Sequence, residues 1–146
     1  MVCGITGHRK CDNLYDRGMK MNYEIWNAVN AGFDTFVVGM AEGADEIAAE
    51  FILALKNHGF HIRLIALLPY PEFGMHDENR RRIINNADVV ECVCEKYEKW
   101  CYDRRDKMIV DYAEMIIGMY DHGREKSGTG RTIKYARKKE IPCVIV

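Results

Sequence analysis

No apolar run in this chain approaches the ~20 residues that a membrane span requires. The stretch from Met1 to Arg9 turns polar too early for a signal peptide, so a cytoplasmic protein without a membrane partner is expected. Charge of one sign is also missing: twenty-one Lys and Arg face twenty-two Asp and Glu, a net charge of −1. Affinity for long duplexes comes mainly from counterion release along a broad basic face, so this balance argues against duplex nucleic acid as a partner and leaves room only for a local basic cluster. There is no Cys-x-x-Cys among Cys3, Cys11, Cys92, Cys94, Cys101 and Cys143. Most of these lie in apolar, strand-like segments, where a reduced thiol behaves as a small hydrophobe. Cys92 and Cys94 would share one face of a strand with Cys101 nearby; without paired spacing they read as core or inert thiols, and no metal is expected. The G-x-G-x-x-G fingerprint and the P-loop are likewise absent, and no cofactor is expected.

What the chain does have is a globular balance, with 48% apolar and 29% charged residues over 146 positions. That length fits one domain, residues 1–146, which at this size buries about 70% of the surface its unfolded chain exposes. Short β-rich runs alternate with amphipathic stretches. Strands are expected at Val2–Thr6, Asp34–Val38, Ile62–Leu68, Val89–Cys94, Met115–Tyr120 and Cys143–Val146. Helices are expected at Lys20–Ala31, Ala44–Asn57, Asp77–Asn86, Arg104–Asp111 and Thr132–Lys139.

Strands that are apolar along their whole length are buried on both faces, as in a parallel sheet covered by helices on each side. The expected fold is therefore a Rossmann-like α/β three-layer sandwich with a mostly parallel sheet of five to six strands. Ligands in such sheets bind outside the carboxyl ends of the strands. Polar and glycine-rich residues collect there: Thr6-Gly7-His8-Arg9 after the first strand, Gly39 to Asp45 after the second, and Asp121 to Gly130 after the fifth. Gly39 and Gly43 precede a helix whose first amides could meet phosphate or carboxylate; the same two glycines could equally serve close packing, with Asp45 favouring the helix start. Ser127-Gly128-Thr129-Gly130 offers a second set of main-chain and hydroxyl donors at a helix start.

These motifs, in this order, carry a resemblance: Thr6-Gly7-His8-Arg9, Gly39-Met40-Ala41-x-Gly43-Ala44-Asp45, Arg105 with Ile109-Val110-Asp111, Tyr120-Asp121, and Gly128-Thr129 with Thr132-x-x-Tyr135-Ala136. The chain resembles the DUF1273 family, a branch of the SLOG superfamily of Rossmann-like nucleotide-ligand proteins, over essentially its whole length. The resemblance implies a pocket for a nucleotide or nucleotide-derived small molecule, shared with the LOG phosphoribohydrolases and more distantly with the DNA-processing protein DprA. It implies that Gly7, Arg9, Gly39, Gly43, Asp45, Arg105, Asp111, Gly128 and Thr129 line or shape that pocket, and Thr6, His8, Ala41, Asp121 and Gly130 in the same loops complete the expected ligand-binding set. Ser127 stands where the family commonly has glycine. Lys134 and Tyr135 stand where the phosphoribohydrolases carry a glutamate, so hydrolysis by the same residues is not implied.

The run from Tyr97 to Arg105 interleaves aromatic and cationic side chains, as a base-stacking and phosphate-pairing segment would, or as an amphipathic loop would. Arg80, Arg81 and Arg82 read as a solvated helix face balanced by Asp77 and Glu78. Of the five histidines, His8 at a strand end is the best placed. Two functions follow. One is a module that binds or senses a nucleotide-like ligand, with a homo-oligomer allowed for. The other is a hydrolase of a nucleotide N-glycosidic bond, needing a carboxylate from among Asp45, Asp111 and Asp121. No acid–base pair stands out, which favours the module; DNA binding in the manner of DprA is disfavoured by the neutral charge.

Overall fold

The computed structural model describes residues 1–146. Strands β1 (Val2–Gly7), β2 (Thr35–Val38), β3 (Arg63–Leu68), β4 (Val89–Cys92), β5 (Met115–Met119) and β6 (Cys143–Ile145) form one six-stranded sheet, ordered β4-β3-β2-β1-β5-β6 and parallel throughout. Helices α1 (Leu14–Asn30), α2 (Ala44–Asn57) and α3 (Glu78–Asn85) lie on one face, and α4 (Cys101–Tyr112) and α5 (Gly128–Lys138) on the other. The Rossmann-like sandwich expected from the uniformly apolar strands is the observed fold.

Alternation along β1 feeds both cores. Cys3 and Ile5 pack with Met21, Ile25, Ala48 and Ile52 beneath α1 and α2. Gly4 points the other way, where a Cβ would stand 2.6 Å from Ile116 Cδ1 and 2.8 Å from Ile109 Cγ2, so its bare backbone lets α4 lie close against the sheet.

Element starts differ from expectation wherever a polar or glycine-bearing first turn dilutes the apolar period. The first helix begins at Leu14 rather than Lys20; Gly18 within it is buried against Ile47. The fourth begins at Cys101 rather than Arg104, the fifth at Gly128 rather than Thr132, and β4 ends at Cys92 rather than Cys94. Arg80 is also not where it was expected. It is 6% exposed, its guanidinium lies 5.7 Å from the Phe73 ring centroid, and its Nη1 donates to the Met40 carbonyl; only Arg81 and Arg82 are solvated, and Arg82 pairs with Glu50.

β1 has β2 on one side and β5 on the other, so the loops leaving β1 and β5 part toward opposite faces of the sheet. A crevice opens between them at the carboxyl ends of the strands. No helix is long and apolar enough to cross a membrane.

Candidate functional site

A cleft of about 270 Å³ occupies that crevice. Its floor is Ile5, Thr6, Gly7, His8 and Arg9 from the end of β1; one wall is Asp45 at the start of α2; the other is Tyr102, Asp106 and Ile109 on α4 with Ser127, Gly128 and Thr129 at the start of α5. Arg124 and Arg131 stand at the rim.

The start of α5 is built to meet an anion. Ser127 caps the helix: its Oγ accepts the Gly130 N–H at 3.0 Å and donates to the Arg124 carbonyl at 2.6 Å. The N–H groups of Gly128 and Thr129 have no partner in the chain and sit at the positive end of the helix dipole, with no acidic residue in the first turn. A Cβ on Gly128 would meet only Asp106 Oδ2, at 3.6 Å, so this backbone faces the open cleft. Arg9 is exposed beside it.

Two carboxylates also face the cleft, Asp45 from the opposite wall and Asp106 from the same wall as Gly128. Asp45 is buried; Oδ2 accepts the Ala41 N–H at 3.1 Å, and Oδ1 has no partner. Burial pushes its carboxyl up to about 7, against the pull of Arg105. Asp106 is also raised by burial, opposed by Arg105, whose Nε donates to Oδ1 at 2.7 Å. His8 is 3% exposed, and burial lowers its pKa; its neutral Nε2 accepts the Asp121 N–H at 3.0 Å, tying the end of β1 to the segment after β5.

The expected site residues divide into three groups. Thr6, Gly7, His8, Arg9, Asp45, Gly128 and Thr129 line the cleft. Gly39, Ala41, Gly43, Arg105, Asp121 and Gly130 stand behind it as supports. Arg105, read as a ligand contact, is 5% exposed and turned into the chain: Nη1 donates to the Gly39 carbonyl, Nε holds Asp106, and its guanidinium lies 5.5 Å from the Phe73 ring centroid. Gly43 has φ +82° and presses on the backbone of Arg9, not on a ligand, while Gly130 packs under the carbonyls of Arg124 and Glu125. Asp121 is bound by Arg17 and faces Arg124 at 3.6 Å. The third group is Asp111 alone. It is exposed on α4, where Lys139 and the Tyr135 hydroxyl, opposed by partial burial, hold its carboxyl below the usual range; it does not join the cleft.

Sequence reasoning missed Asp106 and Arg131 as lining residues, and reached Tyr102 and Arg124 only as members of the Tyr97–Arg105 and Asp121–Gly130 segments. Asp106 had a usable signal: with Tyr102 and Ile109 it falls on the sheet-facing stripe of α4, a carboxylate at an apolar position. Cys94 and Cys101 are buried at the loop leading into α4, and Cys92 is exposed.

The model of the YspA SLOG family (YpsA) matches residues 18–146. The chain belongs to this family. The DUF1273-type SLOG resemblance is thereby borne out. The SPbeta prophage-derived protein YoqJ of Bacillus subtilis (strain 168), itself uncharacterized, is 28% identical over 121 residues, covering 70% of this chain and 69% of that protein. DNA processing protein A from Helicobacter pylori, described for its single-stranded DNA binding mode, superposes with a TM-score of 0.73 at 20% identity over 99% of this chain, which spans 64% of that one. TM1055 matches with a TM-score of 0.66 at 13% identity over 98% of this chain and 72% of its own. A molybdenum cofactor binding protein from Rippkaea orientalis matches with a TM-score of 0.62 at 14% identity over 99% and 74%. These structures share the fold.

One expectation is corrected by this comparison. Near-neutral net charge was taken to make duplex nucleic acid an unlikely partner and to disfavour DNA binding, yet a protein described for its single-stranded DNA binding mode has this fold across 99% of the chain. Total charge does not report local charge: Arg9, Arg124 and Arg131 gather at one cleft, whatever the acids elsewhere add up to.

Proposed function

We propose that this SLOG family member is a binding or sensing module, residues 1–146, that holds a nucleotide or nucleotide-derived small molecule in the cleft between β1 and β5, with its phosphate on the start of α5. The observation that carries this reading is the pair of unpartnered amides, Gly128 and Thr129, opening on the cleft beneath Arg9, Arg124 and Arg131. The six free cysteines support a reducing, cytoplasmic setting for it. N-glycosidic hydrolysis is the weaker reading: Asp111 is off the cleft, Asp121 is bound by Arg17, and only Asp45 of the three candidates faces it.

The test is a calorimetric titration with adenosine 5′-monophosphate of the native chain and of Gly128→Val. Valine at the first helical position, where a Cβ finds open space, fills the cleft without straining the backbone. Binding by the native chain, lost in a folded Gly128→Val, is expected. Equal affinity in both would overturn the reading, and release of free adenine by the native chain would move the protein among the hydrolases.

A second reading has its own observation. Trp100 and Tyr97 are 53% and 57% exposed at the mouth of α4, and the Arg104 guanidinium lies 5.6 Å from the Trp100 ring centroid. Such a platform suits the stacked bases of a single strand laid across the cleft. Fluorescence anisotropy with a labelled single-stranded oligonucleotide, weakened by Trp100→Ala, is the outcome that would favour it.

A further inference from the structure

The cleft is bipolar. Free amides and arginines stand at one end with one carboxylate, the half-buried Asp106, beside them, and a second, the buried Asp45, on the facing wall. For an anion site that is an anomaly, since like charge repels phosphate unless the ligand also brings donors. Asp45 Oδ1 is enclosed with no hydrogen-bond partner. Asp106 Oδ1 is held by Arg105, while Oδ2 accepts no hydrogen bond and lies 3.6 Å from the Cβ position of Gly128, beside the unpartnered amides. A buried acceptor left unpaired is costly, and a ligand that supplies its donor recovers that cost on binding.

From these placements we infer that Asp45 and Asp106 read the sugar hydroxyls of a phosphorylated ribose, so that the cleft selects ribonucleotide over 2′-deoxyribonucleotide ligands. This rests on the anion site proposed above. The sugar is the matching part because Asp106 Oδ2 and the Gly128 amide are separated by little more than a van der Waals contact from the Gly128 Cβ position. Groups bridging phosphate and carboxylate there must be near neighbours in the ligand, as a 5′-phosphate and the ring hydroxyls are and the far edge of the base is not. Arg105 lies behind Asp106 and keeps that carboxylate in place when phosphate enters.

The test is calorimetry in EDTA with three probes: ribose 5-phosphate, 2-deoxyribose 5-phosphate and inorganic phosphate. Losing one hydroxyl donor to a buried carboxylate should weaken binding about 10- to 100-fold. The native chain should therefore prefer ribose 5-phosphate over its deoxy form by at least about ten-fold. In Asp106→Ala that preference should collapse toward unity while inorganic phosphate binds as well or better, because a repelling charge has gone; a damaged fold would lower all three together. Asp106→Asn, which keeps the shape and one acceptor, should retain part of the preference and guards against a misfolded alanine variant. Phosphate binding without ribose preference, or a preference untouched in both variants, would sink this inference and leave the anion site standing. Failure of all three probes to bind would sink both. A preference that appears only when magnesium replaces EDTA would assign the carboxylates to a bridging cation and overturn the hydroxyl contact.

Discussion

The starts of α2 and α5 look alike in sequence, each a glycine-bearing loop running from a strand into a helix on the same edge of the sheet, yet the fold packs the glycine of one against its own chain and leaves the glycine of the other facing the cleft. At α2 the Ala44 N–H donates to the His8 carbonyl, Gly43 rests on the Arg9 backbone, and Asp45 and Glu46 place their carboxylates in the first turn. At α5 the first two amides are unpartnered, no acid occupies the first turn, and a Cβ on Gly128 would meet nothing nearer than Asp106 Oδ2, at 3.6 Å. A glycine before a helix therefore marks close approach without saying what approaches. Where its own chain fills the gap the helix end is structural; where nothing does, it is available to a ligand.

The sharpest way to break this contrast is to put the same side chain at both glycines. Gly43→Val should cost about 3–5 kcal/mol, since valine must adopt φ +82° and displace the Arg9 backbone it would overlap. Thermal unfolding reads that loss, whereas Gly128→Val should unfold close to the native temperature. Equal melting temperatures for the two would erase the distinction between a packed and an open glycine.

A smaller effect separates the two ends by pH. Burial raises the folded-state pKa of Asp45 to about 7 from its ordinary 3.8, so the native state holds a proton that the unfolded chain has lost. Native stability from this group thus falls as pH climbs from about 4 to 7, and the deficit is constant above that. Asp45→Asn removes the titration and keeps an acceptor for the Ala41 N–H. Relative to the native chain it should gain nothing at pH 4 and, at pH 8, at most about 3–4 kcal/mol. Urea unfolding across that range checks the sign; a difference independent of pH would mean that Asp45 is not a buried, uncompensated acid.

These contrasts also show what could be read before the fold was seen. The parallel sheet was legible because strands buried on both faces must be apolar throughout, and the edge that carries the cleft followed from the parallel fold alone. Roles within the cleft were less so. Asp111 and Asp106 are five residues apart, about 140° round a helix, which sends one carboxylate to the outer surface beside Lys139 and the other to the cleft. Arg80 sits in a run of three arginines that reads as a solvated face, but the register of α3 turns it inward onto Phe73 and the Met40 carbonyl. Arg105 was found for its position, but its buried guanidinium is turned to a carbonyl, a carboxylate and a ring behind the cleft and is not part of its lining. Pattern places a residue on an element; only the packed neighbours decide whether its polar groups remain available.

The smallest effect probes the open end itself. The Ser127 hydroxyl links the Gly130 amide to the Arg124 carbonyl, so it both caps α5 and shapes the loop that presents Arg124. Ser127→Ala removes the cap and should cost about 1 kcal/mol of stability. The Gly128 and Thr129 amides stay free in that variant, and the helix dipole is unchanged, so phosphate affinity should fall only a few-fold, through the loosened Arg124 loop. Ser127→Gly should lose only a few tenths of a kcal/mol because glycine is a tolerated cap. Melting curves and phosphate titrations on the pair separate the two contributions. If Ser127→Ala abolished phosphate binding outright, the serine hydroxyl would be a direct ligand contact, and the main-chain amides would no longer explain why this end of the sheet is open.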